Sequence, residues 1–349
     1  RRLARRGSEM KSSDLSFDLP AELIAQHPTD RRGASRLLVV DRGEGTVRDS
    51  AVARLVDHLP EGSLLVFNDT RVRKARVFCR AAETMAPVEV LFVEPAPTGG
   101  WWVIGRGGRR LRTGRQLELP DGTVATIVES VGHLRRLEAS AQLDTAWFER
   151  WGHVPLPPYI DRTDEPEDAD RYQTVYARRE ATSVAAPTAG LHFTDELLAL
   201  IDKRFERTTV TLHVGIGTFL PVQTERLEDH EMHREQYEIS PDAATRITAA
   251  KRDGRPVVGV GTTVVRTLES AHDGDGAIIA GRRSTNLFIT PGYQFHVVDH
   301  LFTNLHTPGS TLIALVAAFA GLETIHAAYR HAIRERYRFY SYGDAMLIL

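Results

Sequence analysis

Leu64-Leu65-Val66-Phe67-Asn68-Asp69-Thr70-Arg71, L-L-V-F-N-D-T-R, decides how this chain is read. Its apolar half, opened by Ser63, predicts a buried strand over Ser63–Phe67. The strand runs straight into polar residues. In an open α/β sheet the carboxyl ends of the strands are where ligands bind. Asn68 and Asp69 offer groups for hydroxyls, and Arg71 offers a fork for a carboxylate or phosphate. The same four residues also fit a turn closed by Asx hydrogen bonding.

Downstream the texture changes. From about Arg73 to His153 short β-type segments follow one another: 76–80, 88–93, 101–105, 116–119, 124–128 and 134–139, separated by turn clusters such as 95–100 and Asp121-Gly122. That rhythm predicts a small all-β barrel or sandwich. The fold class expected is therefore an α/β main domain with an inserted small, barrel-like all-β domain. The first part of the main domain spans 14–72, the insert 73–154 and the second part 155–349. Residues 73–154 hold 12 Lys+Arg against 9 Asp+Glu, a charge of +3 inside a chain whose net charge is −2. Arg106, Arg109, Arg110, Arg112 and Arg115 fall within ten residues that contain no acid. Charge alone leaves that run open between a solvated hairpin and an RNA contact.

Elsewhere the pattern alternates strands and helices. Asp14–Asp18 reads as a strand, residues 19–24 as a helix opened by proline, Leu37–Val40 as a strand and Ala51–Leu59 as a helix. Pro155–Ile160 is a stiff return linker, and the acidic 161–170 reads as mobile. Asp195–Phe205 is an amphipathic helix, Thr208–Val214 and Val257–Val260 are strands, and Thr262–Ala271 is a helix. Leu301–Leu305 is strand-like, and Ser310 caps an apolar helix over 311–320.

Between these lies S-V-A-A-P-T-A-G-L-H-F-T, Ser183–Thr194. Pro187 and Gly190 forbid a regular helix through it. Thr194, followed by Asp195 and Glu196, is an N-cap with acids in the first helical turn. His192 is thus delivered by a loop to a helix start, where it is either a satisfied core histidine or a chemical group. Two glycine turns follow strands, Gly215-Ile216-Gly217-Thr218 and Gly259-Val260-Gly261-Thr262. Leu220 and Val264 stand at the third glycine position, so neither is a dinucleotide fingerprint. Each still offers backbone N–H groups to an anion, the second at a helix amino end. His230 and His233 are i, i+3, one short of the zinc motif, so no metal is expected.

At 349 residues with 42% hydrophobic and 26% charged residues, two domains are the natural expectation. The lone Cys79 excludes an internal disulfide framework and fits a reducing cytosol. The basic amino terminus has no apolar segment of a signal peptide, and Met10 is the expected start. No window reaches membrane-span length. A cytoplasmic protein with no membrane association is expected.

The ordered segments together are similar to the S-adenosylmethionine:tRNA ribosyltransferase-isomerase family of queuosine biosynthesis. The resemblance rests on D-L-P-A-E-L-I-A-Q (18–26), L-L-V-F-N-D-T-R-V (64–72), H-V-P-L-P-P-Y-I (153–160), Y-Q-T-V-Y-A (172–177) and the 183–194 stretch. It continues through T-L-H-V-G-I-G-T-F (211–219), V-G-T-T-V-V-R-T-L-E-S (260–270) and Y-S-Y-G-D-A-M-L-I (340–348). Leu305, Thr307 and Arg234 depart from the family pattern, and the insert matches poorly. The resemblance implies transfer and isomerisation of the ribosyl part of S-adenosylmethionine onto 7-aminomethyl-7-deazaguanine at the wobble position of tRNA. The products are epoxyqueuosine-tRNA, adenine and methionine, and no metal or other cofactor is implied. A base for the 5′ carbon is then needed, and His192, His213, His233, Asp69 and Glu235 form the candidate catalytic pool. Asn68, Arg71, Thr188, Gly190, Phe193, Gly215, Gly217, Thr218, Gly261, Thr262, Arg266 and Tyr342 are the candidate substrate contacts. Arg106, Arg109, Arg110, Arg112 and Arg115 are the candidate RNA contacts, and a monomer is expected. An S-adenosylmethionine-dependent RNA methyltransferase and a non-catalytic RNA-binding protein are the alternatives.

Overall fold

A computed structural model describes residues 11–178, 180–215, 224, 226–230 and 232–349. The chain divides into two compact units: the described residues of 1–68, 187–212 and 217–349 form one, and 69–186 with 213–216 form the other.

The strands, in chain order, are β1 (Arg36–Asp41), β2 (Thr46–Ala51), β3 (Leu64–Asn68), β4 (Arg71–Val72), β5 (Arg76–Ala81), β6 (Pro87–Pro95), β7 (Trp101–Arg106), β8 (Gln116–Glu118), β9 (Val124–Val131) and β10 (Leu134–Ala139). They continue as β11 (Ala181–Ser183), β12 (Glu206–Leu212), β13 (Glu235–Ile239), β14 (Val257–Val260), β15 (Gly281–Thr285), β16 (His300–Asn304) and β17 (Ala345–Ile348). The helices are α1 (Thr145–Trp151), α2 (Asp168–Arg171), α3 (Asp195–Asp202), α4 (Pro241–Arg252), α5 (Thr262–Ala271), α6 (Thr311–Ala320) and α7 (Leu322–Arg334).

The first unit is built on a nine-stranded sheet in the order β15-β13-β12-β3-β14-β16-β17-β1-β2. Its centre, β12-β3-β14-β16, is parallel. Residues of β3 and β14 are buried throughout, as expected for parallel strands covered on both faces. Antiparallel partners flank that centre on both sides, β13 beside β12 and β17 beside β16. Ser240 and Ser310 cap α4 and α6 through their side-chain oxygens. Helices α5 and α6 span the residues expected from their apolar spacing.

The second unit holds a closed six-stranded barrel, β10-β7-β6-β5-β8-β9. Its strands alternate, so Val77, Cys79, Val88, Val90, Phe92 and Val103 fill the interior while Phe78 and Arg80 face out. Trp147 and Phe148 of α1 join that interior. Burial pushes the Cys79 thiol up to about 12, which makes it an inert packing group. The same unit carries the short parallel pair β4–β11.

Several local expectations change. Residues 14–18 are not a strand. Ser12–Leu15 is a 3₁₀ turn in which Asp14 accepts the Lys11 N–H at 2.9 Å, a local carboxylate–backbone bond that competes with extended structure. Residues 21–23 make one 3₁₀ turn, because Ile24 leaves it to bridge Phe339. The helix expected from Ala51 to Leu59 is a 3₁₀ segment, Val52–Asp57. The acidic 161–170 stretch is anchored rather than loose: Asp168 is buried and accepts two bonds from Arg162, at 2.6 and 2.9 Å. Among the described residues no single helix is long and apolar enough to cross a membrane.

Candidate active site

The four parallel strands of the first unit end side by side at Leu212, Asn68, Val260 and Asn304. Asn68 stitches this edge. Its amide donates to Leu212 O at 3.1 Å and to Thr263 Oγ1 at 3.2 Å, and its Oδ1 accepts the Leu212 N–H at 3.0 Å. It therefore ties β3 to β12 and to the first turn of α5. That turn begins at Gly261, whose φ of 96° and ψ of 150° suit glycine alone. No side chain caps α5, so the first N–H groups of a ten-residue helix face the edge with their partial positive charge. A Cβ added at Gly261 would sit 3.5 Å from the Ala189 Cβ. The Pro187–Thr194 part of the stretch thus lies against the start of α5 at Ala189.

Within that stretch Thr188–His192 is a 3₁₀ turn, closed by Gly190 N–H to Pro187 O at 2.8 Å and Phe193 N–H to Gly190 O at 3.2 Å. Thr194 caps α3 by accepting the Leu197 N–H at 3.2 Å, as its position predicts. His192 is 4% exposed and meets the end of β16: Asn304 Nδ2 lies 3.1 Å from its Nε2. The same Nδ2 donates to Tyr340 O at 3.1 Å, which fixes the orientation of the amide. His192 Nε2 is therefore an acceptor, and the neutral ring carries its proton on Nδ1. Burial, with a smaller contribution from the Arg32 cation, lowers its pKa to about 4. At neutral pH this is an uncharged imidazole. Asn304 Oδ1 is buried without a hydrogen-bond partner, an open acceptor beside that ring.

The other candidates divide. Thr188, Gly190, Gly261, Thr262 and Asn68 gather with His192 at this edge. Phe193 does not serve as a ligand platform: it is 0% exposed, with its ring edge-packed on Phe67 at 5.0 Å and Phe302 at 5.2 Å. It is core because an apolar ring at the root of the loop gains most by filling the sheet. Tyr342 is likewise buried. Glu235 is a poor base here, since it is buried in an ion pair with Arg266. Arg266 also donates from Nε to Leu287 O at 3.1 Å, and its Nη2 is buried without a partner. His233 is exposed ahead of β13. Gly217 and Thr218 lie outside the described residues.

In the second unit, Asp69 accepts the Arg178 N–H at 2.8 Å on its carbonyl, and Arg71 lies half-buried on β4. His213 Nδ1 is 2.8 Å from Thr182 Oγ1 and 3.4 Å from Thr70 Oγ1. Of the arginine run, Arg115 is ion-paired with Glu83, whereas Arg106, Arg109, Arg110 and Arg112 are exposed.

Asn304 and Thr263 were not singled out as site residues by sequence reasoning. The signal was thin: Asn304 is one polar residue at the end of a strand, and nothing local pairs it with a histidine 112 residues away.

The architecture is that of an α/β protein interrupted by a β-barrel insert. Comparison with known proteins refines this. The family model described as queuosine biosynthesis protein matches residues 12–348. The S-adenosylmethionine:tRNA ribosyltransferase-isomerase of Treponema denticola is 48% identical over 97% of this chain and 100% of its own. A protein of the same name from an Anaeromyxobacter species is 49% identical over 97% of this chain and 99% of its own. The crystal structure of an S-adenosylmethionine tRNA ribosyltransferase from Thermotoga maritima matches with a TM-score of 0.55 at 33% identity, over 97% of this chain and 100% of that one. The chain belongs to the queuosine biosynthesis protein family.

Proposed function

We propose that this protein is an S-adenosylmethionine:tRNA ribosyltransferase-isomerase acting on 7-aminomethyl-7-deazaguanine at the wobble position of tRNA. The family membership supports the activity, and the His192–Asn304 pair at the carboxyl edge of the parallel strands is the structural observation that carries the site. The sulfonium acidifies the 5′ carbon and later leaves as methionine, and adenine departs from the ribose, so the co-substrate supplies both leaving groups. No other cofactor is part of the proposal. The protein must take a proton from carbon, bind the carboxylate end of the ligand and assist adenine.

A neutral imidazole is the form that accepts a proton, and the lowered pKa keeps His192 in that form throughout the physiological range. Asn304 holds the ring by donating to Nε2, so the Nε2 lone pair takes a proton only as that amide N–H gives way. The Asn304 Oδ1, buried without a partner, can then receive an N–H of the ligand, such as the exocyclic amine of adenine. The uncapped start of α5 suits the ligand's carboxylate. Asn68 holds β3, β12 and α5 in register beneath these groups rather than touching the ligand itself. The protein acts as a monomer in the cytoplasm.

The test is the product set. With S-adenosylmethionine and tRNA bearing 7-aminomethyl-7-deazaguanine, adenine and methionine should appear in equal amounts by liquid chromatography. Formation of S-adenosylhomocysteine instead would identify a methyltransferase, and no turnover with tight RNA binding would identify a binding protein.

A further inference from the structure

The barrel carries a surface that the sheet-edge chemistry does not use. On the outer face of β5, β6 and β7, Phe78 stands opposite Glu89, and Glu89 stands opposite Arg106. Directly opposed residues share a face, so Phe78 and Arg106 are separated by two strand spacings, about 10 Å. Phe78 is 40% exposed, the one aromatic residue among the exposed large hydrophobics of the described residues. Its ring and that of His153 pack in a T-shaped arrangement, at 4.8 Å between centroids.

The basic residues around it are unevenly committed. Arg76 pairs with Glu89, and Arg115 with Glu83. Arg80, Arg106, Arg109, Arg110 and Arg112 are all exposed and form no ion pair, Arg80 included, although Glu118 stands opposite it in register. Arg106 leads through Gly107 into the 3₁₀ turn Gly108–Leu111, which presents Arg109 and Arg110. Between that turn and the 81–86 turn lies a cavity of about 200 Å³ whose lining includes Arg109, Arg110, Thr84 and the Arg115–Glu83 ion pair, so that Arg109 and Arg110 are its uncommitted cations. The turn that forms its other wall is itself unusual: Met85 has a φ of 55° and is 46% exposed. Met85 closes that turn by donating its N–H to Ala81 O at 2.8 Å.

We propose that this end of the barrel is a subsite for single-stranded RNA, in which Phe78 stacks an unpaired base and Arg106, Arg109 and Arg110 hold the flanking phosphates. The inference rests on the tRNA reading above and goes beyond it by naming the residues and the strand state recognised. A ring flanked by unneutralised guanidiniums matches the alternation of base and phosphate along a single strand. A duplex buries its base faces and leaves the ring nothing to stack on, so an arginine surface without Phe78 would not discriminate between the two. An acidic protein segment would satisfy the arginines but leave the flat aromatic face without a matching ring.

The experiment uses the whole protein and fluorescence anisotropy with three probes, a synthetic RNA hairpin with an unpaired loop, a blunt RNA duplex of equal length and an acidic peptide. Phe78→Ala should weaken hairpin binding by about 5- to 150-fold, the range measured for one stacked base, leave duplex binding unchanged and leave the salt slope unchanged. Phe78→Trp should restore the hairpin. Arg109→Ala with Arg110→Ala should weaken both RNA probes and flatten the log–log salt slope by about 1.5. Phe78 points outward, so its replacement leaves the barrel interior intact, and an unaltered thermal melt checks this. Equal affinity of Phe78→Ala and wild type for the hairpin overturns the proposal, as does wild-type binding of duplex or of an acidic peptide as tight as that of hairpin. Adenine release is measured in parallel. Its absence in a wild type that still prefers hairpin sinks the catalytic reading and spares the subsite; its presence with an indifferent Phe78→Ala does the reverse.

Discussion

His192 owes its chemical character to what surrounds it, not to its position in the chain. A histidine between Leu191 and Phe193 is ambiguous as sequence, because apolar neighbours serve a core residue and a desolvated base equally well. The structure adds two facts that a packing role does not need: Asn304 orients the ring through Nε2, and Asn304 Oδ1 is left open beside it. His192→Ala should therefore reduce turnover by about 100-fold or more, the scale of lost acid–base assistance. Because the residue is buried, His192→Asn serves as the second variant: it keeps a polar group in the same space but cannot take a proton at neutral pH. Circular dichroism melts close to wild type combined with a slow single-turnover rate in both variants would place the loss in chemistry. Normal turnover in a folded His192→Asn would make His192 a packing residue. At this scale the sequence was half legible. The loop and its histidine were visible in the Pro187–Gly190 spacing, whereas Asn304 was not, since a side-chain pair formed across the sheet leaves no local periodicity. Phe193 was misread for the same reason: its contacts with Phe67 and Phe302 are tertiary, and apolar neighbours in sequence do not show which way a ring turns.

Among the elements, the turn from β14 into α5 shows what local pattern can and cannot reveal. Val257–Val260 and Thr262–Ala271 were readable from an apolar run followed by helical spacing, and the glycine between them marked a backbone demand. What that demand is for appears only in three dimensions, where Gly261 takes a φ of 96° to turn the chain from β14 into α5 beside Ala189. Gly261→Ala forces a side chain into a region that is nearly glycine-only, a strain of about 1–3 kcal/mol that falls on the start of α5, while the added Cβ meets Ala189 at ordinary contact distance. The expected result is a lower thermal midpoint together with a raised KM for S-adenosylmethionine, read by melting and by initial rates. A variant that melts lower with an unchanged KM would show that the start of α5 does not hold the co-substrate. The barrel strands were legible for a different reason: each alternates inward and outward residues, a period that needs no tertiary knowledge. The turns at 12–15 and 52–57 were not, because 3₁₀ segments are too short to set up a period of their own.

For the molecule as a whole, charge rather than hydrophobicity separates the barrel from the rest of the chain. Residues 73–154 sum to +3 while the full chain is −2, which leaves −5 for the remainder. A polyanion is therefore favoured at the barrel and disfavoured elsewhere, and the ion pairs Arg76–Glu89 and Arg115–Glu83 reduce the usable cations further. If Arg80, Arg106, Arg109, Arg110 and Arg112 each displace a counterion, the affinity for tRNA should fall with salt along a log–log slope of roughly −3.5 to −4.5. S-adenosylmethionine is small and carries opposite charges close together, so with the sheet edge as the proposed site its KM should stay nearly flat over the same salt series. Initial rates at several potassium chloride concentrations, with one substrate saturating and the other varied, separate the two dependences. A tRNA slope shallower than about −1 would mean that fewer than two phosphates are neutralised. The RNA would then be held by stacking and hydrogen bonds alone, and the positive charge of the barrel would be a property of its solvated surface.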